Sequence, residues 1–96
     1  KFNIYVFDGP HEMKDHYDGI TIVQPSLDDV FILIIDDWNI PKVRQGTLNA
    51  ISDLSIKIIS KIEIMTTQNN VVPKLLQCQF SDWHNGYLIA VCQKQV

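Results

Sequence analysis

Two short apolar runs, Phe2-Asn3-Ile4-Tyr5-Val6-Phe7 and Phe31-Ile32-Leu33-Ile34-Ile35, are rich in β-branched and aromatic side chains, and each runs directly into acid. Segments of this length and composition read as β-strands. Their near-continuous apolarity reads as burial on both faces, as in a parallel sheet covered by helices. The first run continues into Asp8-Gly9-Pro10-His11 and the second into Asp36-Asp37-Trp38. Open α/β sheets bind ligands beyond the carboxyl ends of their strands. Three carboxylates and an imidazole gathered at two such ends point to a hard-cation or acid/base site.

The segments around these strands complete an α/β pattern. Pro10 suits a first helical turn. Met13, Tyr17, Ile20 and Val23 or Gln24 recur at three- and four-residue steps, which predicts a helix from about His11 to Gln24, ended by Pro25. Ser26-Leu27-Asp28-Asp29 reads as a turn into the second strand. Beyond that strand, Asn39 reads as an N-cap and Pro41 as an early helical residue, with Val43, Thr47, Ile51 and Leu54 forming one face of a helix that ends near Asp53 or Leu54. Ile56 to Met65 alternates, Ile58, Ile62 and Ile64 on one side and Lys57, Lys61 and Glu63 on the other, as in a half-exposed strand near a sheet edge. Turn residues (Gln68-Asn69-Asn70, Pro73, Asn85-Gly86) then surround a short apolar patch at Val71-Val72 and Leu75-Leu76. Tyr87 to Cys92 reads as a last buried strand. The order is β-α-β-α-β-β, with the Phe2 and Phe31 strands adjacent and parallel. The Tyr87 strand, more apolar than the Ile56 strand, should pair antiparallel with it and lie between it and the Phe31 strand.

Ninety-six residues make one small domain or part of a larger one. A hydrophobic fraction of 46% supports a packed core. The net charge of −3 and pI of about 5.4 leave no basic footprint for nucleic acid or an acidic membrane. No apolar run approaches the roughly 20 residues of a membrane-spanning helix, and no signal peptide is recognisable. Cys78 and Cys92 do not form a zinc motif. A disulfide stays open as an alternative, but two unpaired thiols in a reducing cytoplasm are the expectation. A first strand of central character also implies a missing neighbour, so the chain is expected to be half a domain. Its unpaired apolar edge would invite a homo-dimer.

Phe7-Asp8-Gly9-Pro10-His11-Glu12, Ile34-Ile35-Asp36-Asp37-Trp38 and Val43-Arg44-Gln45-Gly46 together resemble the C-terminal half of class I S-adenosylmethionine-dependent methyltransferases. The similarity is to the metal-dependent O-methyltransferase-like branch, which includes macrolide and aminocoumarin sugar methyltransferases. It covers the chain from Asn3 to about Lys94. The resemblance implies a three-layer Rossmann-like fold with strand order 3-2-1-4-5-7-6 and an antiparallel strand 7, of which this chain would hold strands four to seven. It also implies that Asp8, Asp36 and Asp37 are ligands of a divalent cation, usually magnesium, that holds a small-molecule or sugar hydroxyl beside the sulfonium methyl. Oxygen-only ligands suit that ion.

The sequence departs from the family in two places. The sugar methyltransferases carry a second aspartate, assigned as the base, where this chain has Pro10; His11 is the next candidate for that role. No glycine-rich loop after a first strand and no acidic ribose-binding strand end are present, so the main S-adenosylmethionine site lies outside the sequence and the chain alone is expected to be inactive. Plainer roles stand beside these. Asp8 before Gly9 suits a turn, and Asp36-Asp37 suit a helix start. His16 and His84 read as surface residues, Trp38 as a lid on the core or a wall of the cleft, Lys42 and Arg44 as a solvated helix face, and Gly46 as a close helix-to-sheet contact. Two other classes remain: a receiver-like signalling module, which would need a wholly parallel sheet, and a non-catalytic assembly module.

Overall fold

The computed structural model describes residues 1–66 and 85–95. Its elements are β1 (Phe2–Phe7), α1 (Met13–Val23), β2 (Leu27–Asp36), α2 (Pro41–Asp53), β3 (Lys57–Ile64) and β4 (Tyr87–Gln93), with a 3-10 turn at Gln24–Ser26. The four strands form one mixed sheet in the order β1-β2-β4-β3. β1 and β2 are parallel, and β4 runs antiparallel to both β2 and β3. These are the neighbours and directions that the sequence predicts. Cys78, His84 and the apolar patch at positions 71–76 lie outside the described residues.

Strand register explains which side chains are buried. Tyr5, Leu33 and Ala90 share one row, and Phe7, Ile35 and Leu88 another. These rows face the helices, and Leu33, Ile35, Leu88 and Ala90 are buried there with Ile20, Val43, Ala50 and Ile51. The alternate rows, Ile4-Ile32-Val91 and Val6-Ile34-Ile89, are half-buried or exposed, and Ile4 and Val6 are more than half exposed. Among the described residues both helices therefore cover the same face, and two layers stand where three are expected. Burial of the first two strands on both faces is likewise corrected. β1 is an edge strand with one open face.

Further corrections follow from local packing. β2 begins at Leu27, four residues before the predicted strand, because Leu27 is buried in the core instead of turning. α1 begins at Met13, not His11, and its buried face is His16 and Ile20, leaving Met13 exposed. The cause is Gly46. A Cβ there would come within 2.2 Å of the Met13 carbonyl oxygen, so Gly46 serves a helix-to-helix contact and not a helix-to-sheet one. That close approach draws position 16 inside, and His16 is buried, not on the surface. In β3 a bulge between Ile58 and Ser60 shifts the register by one residue. One residue of shift reverses side-chain direction. Ile58 therefore packs on the core, while Ile62 aligns with Ile89 on the open face, so the expected single face for these isoleucines is split.

Candidate functional site

The parallel register that pairs Phe7 with Ile35 brings the next residues, Asp8 and Asp36, to the same end of the sheet. β4 begins beside them, with Tyr87 opposite Asp36. One carboxylate oxygen from each of Asp8, Asp36 and Asp37 lies within 4.8 Å of the others. All three acids singled out in the sequence thus meet at one place, and His11 joins them. Its Nε2 is 2.8 Å from Asp37 Oδ2. An ionised carboxylate only accepts hydrogen bonds, so Nε2–H is the donor to it, and in the neutral ring that leaves Nδ1 as the accepting nitrogen.

The turn after β2 is tightly specified. Asp37 has a φ of 60°, the left-handed region that non-glycine residues seldom occupy, and its N–H donates to Asp36 Oδ1 at 2.8 Å. Trp38 N–H donates to the Gly86 carbonyl and Asn39 N–H to the Asn85 carbonyl. Asn85 Nδ2 donates to Asp37 Oδ1 at 3.3 Å, so both oxygens of Asp37 already hold a protein partner. Trp38 is buried and donates from Nε1 to Glu63 Oε1 at 3.1 Å, which makes it part of the core. Asn39 is not the N-cap. Ile40 occupies that position, and the buried Asn39 side chain accepts from Thr66 N and donates to Thr66 Oγ1. Arg44 is not merely solvated, because its Nη1 donates to the Trp38 carbonyl at 2.7 Å.

Electrostatics follow from crowding acid on acid. Asp8 is raised above the usual aspartate range by partial burial, by the charge of Asp36 and by a hydrogen bond with it, while His11 and His16 pull the other way. Tyr87 is raised by the Asp36 charge first, then by burial and by a hydrogen bond between its side chain and Asp36, with smaller effects of Asp8 and Asp37. Among the described residues no lysine or arginine forms an ion pair with these three acids. Three carboxylates that repel one another and offer only oxygen fit a hard divalent cation.

A cleft of about 400 Å³ adjoins the cluster, lined by His11, Glu12, Ile40, Pro41 and Lys42. Lys42 reaches Glu12 at 3.3 Å across it. Tyr87 and Asn85 are the site residues that sequence reading missed. Their signal was available: a strand placed antiparallel against β2 must begin where β2 ends, so Asn85-Gly86-Tyr87 had to arrive beside Asp36. No helix among the described residues is long and apolar enough to cross a membrane. No family model, curated protein or solved structure matches the chain.

Proposed function

We propose that the chain is the C-terminal half of an S-adenosylmethionine-dependent, metal-assisted O-methyltransferase acting in the cytoplasm on a small-molecule or sugar hydroxyl. The observation that carries this reading is the convergence of Asp8, Asp36 and Asp37 at adjacent strand ends. The sheet order adds support, because β1-β2-β4-β3 with β4 antiparallel is the order that the resemblance implies for strands four, five, seven and six. The same antiparallel strand tells against a receiver-like module, whose sheet is parallel throughout.

In this reading Asp8 and Asp36 are the principal oxygen donors, and Asp37 divides its carboxylate between the cation and the donors His11 and Asn85. A divalent ion, when bound, would acidify and orient the acceptor hydroxyl. Asp37 fixes the His11 tautomer, and Nδ1 would take the hydroxyl proton. His11 lines the adjoining cleft, where an acceptor would sit with its apolar part against Ile40 and Pro41. Among the described residues no glycine-rich loop follows a strand, so no residue of this chain is assigned to hold the methyl donor.

Calorimetry tests both parts. Mn²⁺ or Mg²⁺ should bind this chain and fail to bind Asp36→Asn, and S-adenosylmethionine should bind the full-length gene product. Absence of donor binding by that product would refute the methyltransferase reading. The exposed apolar residues of β1 should also promote pairing with a second copy, and sedimentation that shows a monomer at micromolar concentration would remove that part.

A further inference from the structure

Among the described residues the core holds two titratable groups that the proposed chemistry does not use, the Cys92 thiol and the His16 imidazole, and only the imidazole lies against the loop that carries the site. His16 is 1% exposed. The Phe7 ring stands edge-on to it, with centroids 4.8 Å apart and planes at 87°. On the other side is α2 at Gly46, where an added Cβ would come 3.1 Å from His16 Cβ. Neither ring nitrogen has a hydrogen-bond partner of normal geometry among the described residues. An imidazole in such a place is tolerated neutral at some cost and charged only at much greater cost.

Every element packed around the ring bears on that charge. Asp8 lies beyond the end of β1, His11 in the loop that follows, Asp37 at the end of β2 and Asp15 on α1 itself, whereas α2 presents the uncharged Gly46. The ring therefore sits where α1, α2 and the site loop meet. α1 begins directly after the loop 8–12 that carries Asp8 and His11, so whatever loosens α1 also displaces half of the acidic site.

We propose that His16 is an acid-sensitive joint: proton uptake by its ring frees α1 from α2 and takes apart the site at the ends of β1 and β2. This goes beyond the methyltransferase reading and does not depend on what the acidic cluster binds. Burial holds the folded-state ring below the ordinary imidazole value, with His11 acting in the same direction, against the Pro10 carbonyl, Asp37 and Asp15. The detached helix binds the proton first. Packing is thus at full strength above about pH 6.5 and weakens as pH falls toward the folded-state value. For a single proton, opening becomes up to about tenfold more favourable per pH unit within that window.

Amide hydrogen exchange of the whole chain between pH 7.5 and 5.5, corrected for the intrinsic rate, tests this. Protection across α1 should fall by up to about tenfold per pH unit below about 6.5, while β2 and β4 amides hold. His16→Leu should remove that slope. NMR titration of the wild-type His16 ring supplies a readout that needs no variant: its midpoint should lie below the ordinary value, and α1 resonances should change with it. Constant α1 protection across the range, a slope that survives in His16→Leu, or a ring that titrates at or above the ordinary value would each overturn the proposal.

Discussion

The two strand ends that make the site are built differently. After β2, the turn through Asp37, Trp38 and Asn39 is pinned by backbone bonds to Asn85 and Gly86, by Arg44 on the Trp38 carbonyl and by Asn39 on Thr66. After β1, the loop from Asp8 to Glu12 is largely exposed, and its side-chain ties are Asp8 to Asp36, His11 to Asp37 and Glu12 to Lys42. One half of the site is a rigid platform and the other a hinged arm resting on it. A site assembled this way keeps Asp36 and Asp37 in place while Asp8 and His11 can adjust to a ligand. Mutations in the platform should therefore destabilise the fold, and mutations in the arm should alter charge and binding with little effect on stability.

The largest effect is expected at Gly86. Its φ is 85°, and a Cβ would meet the Ile64 carbonyl oxygen at 2.4 Å, a backbone atom that has no rotamer to escape into. Gly86→Ala should cost about 3 kcal/mol, combining the left-handed penalty with overpacking. Urea denaturation would measure it, and a loss below about 1 kcal/mol would show that the platform yields. Next comes Asn39→Ala, which strips two hydrogen bonds from a buried position and should cost about 2 kcal/mol. The matching change to a tie of the arm, Lys42→Ala at the start of α2, removes its exposed pair with Glu12 and should stay within about 0.5 kcal/mol. Equal losses at Asn39 and Lys42 would erase the distinction.

How far these features were legible depended on which force set them. Strand order and direction were readable because hydrophobic runs and the relative burial of the last two strands decide them, and the three aspartates were found because the register of parallel strands carries them together. Position 16 was not readable. Its burial depends on the approach of α1 to Gly46, a tertiary contact that a polar residue on a helix does not advertise. The face of Ile62 was hidden in the same way, because a single bulged residue reverses an alternation that looks unbroken in sequence. Asn39 shows a third case, a local capping signal outcompeted by a partner 27 residues away. In the site itself the acids stood out at their own strand ends, whereas Asn85 and Tyr87 are reached only indirectly, through the antiparallel pairing that starts β4 beside Asp36.

Tyr87 sharpens the comparison on the platform side. Its hydroxyl donates to Asp36, so Tyr87→Phe frees that carboxylate to rotate without opening a cavity. Mn²⁺ affinity should fall by about tenfold, the lower end for loss of a partner that orients a ligand, with stability almost unchanged. Unchanged affinity would show that Asp36 is held well enough by its remaining partners, the Asp37 N–H and Asp8.

The smallest effect belongs to the arm, and its sign depends on pH. Asp8 is raised in the folded protein, so the native state binds a proton more readily than the unfolded chain does. Its contribution is fully favourable below the usual aspartate range and is lost as pH rises through the folded-state value, where the ionised carboxylate faces Asp36. Asp8→Asn should therefore raise the melting temperature slightly at pH 7, and the gain should shrink as pH falls through the folded-state value toward the ordinary aspartate one. Because Asp8 is exposed, solvent screens the repulsion and the shift will be small. Millimolar Mg²⁺ should cancel the gain at pH 7, since a bound cation relieves in the wild type the same repulsion that the substitution removes. A gain undiminished at pH 4 would mean that Asp8 is unfavourable for reasons other than charge. A gain indifferent to Mg²⁺ would mean that the arm does not close on a cation with the platform.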